Sequence, residues 1–380
     1  VICGRCDCEL ERRTGRRMSA ALALSLTTLL LLIPANALPF LRTTVLGATR
    51  QSYLSSSFTA MWRSDWPMLA IVIGLLIIVL PLVRFALLSL VLLLVRFESR
   101  PPWLGSAFRW SNRLQPWAMP DVFVLALWVA YARLSATVTT TLEPGALCFI
   151  GAGLAALFTR AVLDKPAVWR EIGPERTHSL NTADPSRVSC PSCELVTVCD
   201  EGDRCPRCAA RLNARVPGAL PIAVALTLAA LILYLPANLY PIASIPIGLK
   251  PTAYTVLGGV IDLFQAHLLG LALLVFTASF AIPFIKLAGL GWCVASVLMR
   301  SRRWLPAKTK TYRVIEEIGR WSMVDPFVIA IFVPVTQFNA AISSSADAAA
   351  PFFTLVVVLT IIAAQAFDPR LMWDVARSQT

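Results

Sequence analysis

Eight apolar runs divide this chain, at residues 19–40, 67–95, 119–141, 144–163, 217–241, 263–299, 323–342 and 351–367. Crossing the hydrocarbon core of a bilayer takes about 20 residues of helix, and most of the runs reach that length. Lipid offers no hydrogen bonds to backbone, so a spanning chain folds as helices or as a closed barrel. The runs carry Leu, Val, Ala and Ile all round and do not alternate, which predicts helices. Only 15% of the residues are charged against 57% hydrophobic, the balance of a polytopic membrane protein.

The net charge is +12, yet the Lys and Arg sit in the links between runs. That distribution follows the positive-inside rule and argues against nucleic-acid binding. The basic N-terminus and the links 96–118, 164–216 and 300–322 fall on one side, together with Arg370 and Arg377. The opposite links have Arg42, Arg50, Arg63 and Lys250 as their clear cations. Both termini are therefore expected in the cytoplasm. The first run is too long for a cleavable signal peptide and its end lacks a small-residue cleavage site.

Ten cysteines punctuate the chain, and their spacing is informative. Cys190-Pro-Ser-Cys193 and Cys205-Pro-Arg-Cys208 form two Cys-x-x-Cys knuckles in a basic segment. Basic links stay in the reducing compartment, where paired thiols favour metal over disulfide. Two knuckles supply a tetrahedral four-thiolate site with no open position, which predicts a structural Zn2+ ribbon at about 188–213. Cys3 and Cys6 form a further knuckle and a partial site at most. Cys148 and Cys293 lie alone in apolar runs as packing residues, and Cys199, between the knuckles, is expected to be a spectator.

A repeat orders these features. Cys3-x-x-Cys6 and Cys205-x-x-Cys208 stand 202 positions apart, as do Pro34-Ala35-Asn36-x-x-Pro39 and Pro236-Ala237-Asn238-x-x-Pro241. Pro81-x-x-Arg84 and Pro283-x-x-Lys286 keep the same spacing. Trp117-Ala118-Met119-Pro120-Asp121 matches Trp321-Ser322-Met323-Val324-Asp325 at 204. Shared register over two half-chains predicts duplicated four-helix modules, about eight spans in all, related by an axis along the membrane normal. The expected fold is an all-α integral membrane protein with a small cytoplasmic ribbon. Its parts are a ribbon remnant at 1–18, module one at 19–163, a linker with the ribbon at 164–216, and module two at 217–380.

The ribbons, the Pro-Ala-Asn-x-x-Pro helix ends and the signature Gly319-Arg320-Trp321-Ser322-Met323-Val324-Asp325 together resemble the paraquat-inducible protein A family. The resemblance covers nearly the whole chain. It implies a multi-pass protein of the bacterial inner membrane that pairs with a periplasmic MCE-domain protein. The MCE partner forms a tunnel, and the system moves membrane lipids between the two membranes of Gram-negative bacteria. The family pattern has a Lys and an Asp close together late in the third helix. Here that place reads Arg133-Leu134-Ser135-Ala136, a cation without an acid.

Several residues are candidates for an intramembrane polar network. Lys286 follows Pro283 inside an apolar run, and a charge at that depth costs a few kcal/mol. Such a residue either snorkels or faces an internal cavity. Asp325 opens the next run, as a helix cap or as the counter-ion of Lys286. Asp121 and Arg84 are their partners in the first half. Arg84 stays charged, so it would hold an anionic head group and relay no proton. Arg133 would snorkel or join the network, and Thr360 would bond its own backbone, with the family resemblance raising its place in the network. No phosphate loop, nucleotide motif or catalytic triad stands out, so energy would come from the proton gradient or a partner. The expected function is loading or extracting lipid for the MCE tunnel, without catalysis. The alternative is a non-transporting scaffold that anchors the MCE protein and uses the ribbon to bind a cytoplasmic partner. A lipid-modifying enzyme ranks last, because His178 and His267 are far apart.

Overall fold

The computed structural model describes residues 18–45, 48–64, 66–135, 139–173, 187–198, 202–213, 215–241, 243–247, 250–265, 267, 269–336, 345–347 and 349–377. The Cys3–Cys6 knuckle and Cys199 lie outside these residues. The chain is a mostly helical, multi-pass membrane protein. Among the described residues, seven helical stretches are long and apolar enough to span a membrane: Met18–Ala37, Pro67–Arg96, Pro144–Val162, Ala219–Leu239, Leu269–Leu298, Leu305–Val335 and Ala349–Ala366. The remaining expected span, 119–141, is shorter, because its helix ends at Ser135 and Thr139–Leu142 is a strand.

The first half runs α1 (Met18–Ala37), β1 (Leu41–Val45), β2 (Ala48–Ser52), α2 (Ser56–Arg63), α3 (Pro67–Gly74), α4 (Leu80–Arg96), α5 (Leu104–Leu114), α6 (Pro120–Ser135), β3 (Thr139–Leu142), α7 (Pro144–Val162) and α8 (Lys165–Ile172). The ribbon contributes β4 (Arg187–Ser189) and β5 (Val196–Val198). The second half follows the same order: α9 (Ala219–Leu239), β6 (Ala243–Ile247), β7 (Lys250–Tyr254), α10 (Val256–Gln265), α11 (Leu269–Phe276), α12 (Ile282–Leu298), α13 (Leu305–Ile318), α14 (Val324–Thr336), β8 (Ser345–Ala346), α15 (Ala349–Ala366) and α16 (Arg370–Arg377).

Helix ends follow local chemistry. Asn36 donates its amide to the Leu32 carbonyl at 2.7 Å, and Asn238 does the same to Tyr234 at 2.8 Å. Each side chain thus bonds a carbonyl of the last turn, where Pro34 and Pro236 have weakened the ladder. Asp164 caps α8 by accepting from the Ala167 N–H at 3.1 Å, and Pro166 occupies its first turn. Between α3 and α4 the chain makes one π-helical turn, Leu75–Val79, and between α11 and α12 another, Thr277–Ala281. Pro81 and Pro283 follow directly. A proline ring clashes with the carbonyl four residues back, and the wider turn relieves that clash without breaking the helix. The run 263–299 is therefore one continuous helix from Leu269 to Leu298, preceded by the end of α10.

Two three-stranded antiparallel sheets, in orders β2-β1-β3 and β7-β6-β8, take in the expected links around 41–52, 243–254 and 345–346, with β3 at the end of the run expected at 119–141. Thr43 faces Arg50 on one side and Thr140 on the other. Strand β3 pairs with β1, so α6 returns the chain to the end from which α1 emerged. Arg42 bridges to Glu143 at 2.7 Å beside that sheet. The largest core fills the first half and takes in α14 of the second. There Phe123 of α6 meets Phe327 of α14 with ring centroids 5.3 Å apart. These residues stand 204 positions apart, the same spacing as the Trp117 and Trp321 motifs.

Candidate metal centre and intramembrane polar site

The ribbon is two similar knuckles. The Cys190 N–H donates to Leu195 O at 2.9 Å and the Glu194 N–H to Cys190 O at 3.1 Å. The Cys205 N–H likewise donates to Ala210 O and the Ala209 N–H to Cys205 O, both at 2.8 Å. Glu194 and Ala209, each just after a knuckle's second cysteine, share a left-handed backbone with φ of 59° and 55°. All four sulfurs are buried and lie within 4.8 Å of one another. Cys190 and Cys208 are 3.5 Å apart, as are Cys193 and Cys205. A tetrahedral site with metal–sulfur bonds of about 2.3 Å requires sulfurs about 3.8 Å apart, so these four thiols fit a metal. Hydrogen bonding from Cys193, then from Cys205 and Cys208, holds the Cys190 thiol well below its ordinary pKa.

The ribbon, expected from the sequence register to open the second half, packs on the first. Leu104 and Phe108 of α5, Val168 and Trp169 of α8, and the four cysteines share one core. Gly105 of α5 and Gly173 after α8 both press against Arg207 of the second knuckle. Beyond the ribbon, Arg215 pairs with Asp374 of α16, Nη2 to Oδ1 at 2.8 Å, which ties the linker to the second half.

Behind the ribbon lies Lys286, 2% exposed, on the helix that follows the second π-turn. Its ammonium donates to Gly319 O at 3.2 Å, Ser322 Oγ at 3.2 Å and Thr360 Oγ1 at 2.9 Å. An ammonium has three donors, and these acceptors match them. Thr360 in turn donates to Val357 O at 2.9 Å and Ser322 to Gly319 O at 2.6 Å. At Gly319 a Cβ would stand 3.2 Å from Lys286 Cε, close enough that the lysine stem would have to shift. In the first half Arg84 donates Nη1 to the Ala118 carbonyl at 2.9 Å, and Ser111 donates to Arg84 O at 3.4 Å. Ala118 and Ser322 occupy matching positions of the Trp117 and Trp321 motifs, so the two cations reach corresponding segments.

A cleft of about 710 Å3 opens between the halves at the ribbon end, with Lys286 in its wall. Arg160 of α7 spans it to Glu317 of α13, Nη2 to Oε1 at 3.1 Å.

A family model described as Paraquat-inducible protein A matches residues 18–173 and 220–377. The chain belongs to the paraquat-inducible protein A family. It is similar to the intermembrane transport protein PqiA of Escherichia coli (strain K12), 28% identical over 380 residues, covering 98% of this chain and 90% of that one. The lipophilic envelope-spanning tunnel protein A of the same strain is 27% identical, with 100% and 87% covered. A probable intermembrane transport protein of Haemophilus influenzae is 26% identical, with 98% and 90% covered. No solved structure matches.

In this family member, Lys286 and Thr360 are brought together. Asp121 opens α6, close enough to act through space on Arg84. Asp325 sits in the first turn of α14 and Arg133 near the end of α6, and the side chains of both lie outside the described residues. Reasoning from sequence did not single out Ser322, Gly105, Gly173 or the cleft residues Arg160, Lys165, Arg313 and Glu317. Ser322 and Gly319 were visible only as parts of a signature; the rest are ordinary residues at helix ends, and only packing brings them to one place.

Proposed function

We propose that this protein is the inner-membrane component of an MCE-type intermembrane lipid transport system, with both termini in the cytoplasm. It loads or extracts lipid for a periplasmic MCE tunnel and performs no catalysis. The observation that carries this reading is the cleft between the halves, which joins the basic end of the bundle to the buried Lys286. The names of its relatives, intermembrane transport protein and lipophilic envelope-spanning tunnel protein, point the same way. Lys286 and Asp325 form the working pair, and a buried Lys–Asp pair can exchange a proton with the gradient. Thr360 holds the ammonium, Arg84 and Asp121 serve as the first-half counterpart, and Arg133 is a lesser member. The ribbon takes a structural Zn2+ through Cys190, Cys193, Cys205 and Cys208, which ties the two knuckles together.

The test replaces Asp325 with Asn and Lys286 with Ala at equal expression and measures the outer-membrane barrier in cells. Both variants should lose barrier function. If both keep it while ribbon variants lose it, the protein is a scaffold for the MCE partner and not a transporter.

A further inference from the structure

We propose that the cleft between the halves is a binding site for a phosphate-bearing anion, held by Lys165, Arg160 and Arg313. Four cations line the cleft, these three and Lys286, against the two carboxylates Glu316 and Glu317. Glu317 is engaged by Arg160. The ammonium of Lys165 makes no hydrogen bond or ion pair among the described residues, although the residue is half-buried. Arg84, 7% exposed, adds its field from below, and its Nε has no hydrogen-bond partner. Among the described residues, cations from α7, α8, α12 and α13 thus outnumber the two carboxylates in the cleft wall, while Asp121 and Glu194 act on Arg160 and Lys165 from outside it. A cationic surplus in the wall of a cleft is what a phosphate satisfies, through charge-assisted hydrogen bonds from Arg and Lys.

The cavity is also too large for a bare ion. At about 710 Å3 it falls within the range of about 300–1,000 Å3 usual for organic ligands. Met119, Ile315 and Ile361 line it beside the charges. Charge with apolar wall alongside suits an amphiphile whose head group is a phosphate ester, so the expected source is an anionic phospholipid. Free phosphate shares the chemistry, and the experiment separates the two. The lipid source rests on the transport reading above; the anion site does not.

The full-length protein, stripped of lipid in detergent, is titrated with dioleoylphosphatidylglycerol, with dioleoylglycerol lacking the phosphate, and with inorganic phosphate. Native mass spectrometry counts retained lipid and thermal shift reports phosphate. The wild type should retain phosphatidylglycerol and not the diacylglycerol. Lys165→Gln should weaken retention at least about tenfold, and Lys165→Arg should restore it. Phosphate displaced by phosphatidylglycerol identifies a lipid site; phosphate bound in a Lys165-dependent way without competition identifies a soluble anion. Equal retention by Lys165→Gln and wild type, or equal retention of diacylglycerol and phosphatidylglycerol, overturns the proposal. If Lys286→Ala and Asp325→Asn leave the barrier intact while Lys165→Gln still loses the anion, the transport reading fails and the site stands.

Discussion

Gly105 of α5 lies directly under the Arg207 carbonyl of the ribbon's second knuckle, so close that a Cβ would overlap the oxygen. The ribbon, which lies in the link between the two halves, is thereby seated on the helices of the first. Gly105→Ala should lift it. Overpacking of this kind costs about 1–3 kcal/mol, and here backbone has to move. The four thiols should react faster with a maleimide and the melting temperature should fall. Gly270→Ala, where nothing lies within 4 Å of the new methyl, should leave both unchanged or slightly raise stability. Equal behaviour of the two variants would mean that the contact has no consequence.

Thr360 is the one acceptor of Lys286 that comes from α15. Thr360→Val keeps the shape but leaves a buried ammonium donor unmet, at a cost of about 1–3 kcal/mol. The expected result is a lower melting temperature and a weakened barrier in cells, with Thr360→Ser restoring both. A Val variant as stable as wild type would show that Lys286 finds another partner.

Burial lowers Lys165 to about 8 from 10.5, and Arg84 and Arg160 push the same way against Glu194 and Glu316. The sign follows. Between about 8 and 10.5 the unfolded chain holds a proton that the folded chain has shed, so stability rises with pH across that window. Below 8 the charged ammonium destabilises the fold. Lys165→Gln should therefore melt higher than wild type at pH 7 and lose the rise. Chemical denaturation from pH 7 to 10 checks both, and parallel profiles would contradict it.

The Arg160–Glu317 bridge joins the halves but is half open to solvent, with side chains 30% and 65% exposed. Exposed pairs are worth under about 1 kcal/mol. Glu317→Gln should shift the melting temperature only slightly, and added salt should shrink even that difference. A large, salt-insensitive loss would make this bridge a principal clamp between the halves.

Much of the architecture was legible without coordinates. Long apolar runs mark membrane helices because lipid tolerates little else. The Pro34 and Pro236 motifs mark helix ends because a missing N–H weakens the last turn. The four ribbon cysteines announce by spacing alone a cluster that could hold a metal, since a knuckle is local structure. Hidden from that reading were the short strands, where Thr139–Leu142 looked like the tail of a span. Two to five residues carry too little periodicity to separate strand from loop, and pairing with β1 decides the outcome.

Lys286 shows where the boundary lies. Sequence alone determined that a cation would sit inside an apolar helix after a proline. Only tertiary structure decided that its three donors meet Gly319, Ser322 and Thr360, residues 33, 36 and 74 positions away. The same holds for the ribbon, whose cysteine spacing is local but whose seat on α5 and α8 only packing reveals. Local chemistry is written in neighbouring residues. Which distant surfaces meet depends on how whole helices fill space together, and no short stretch of chain contains that information.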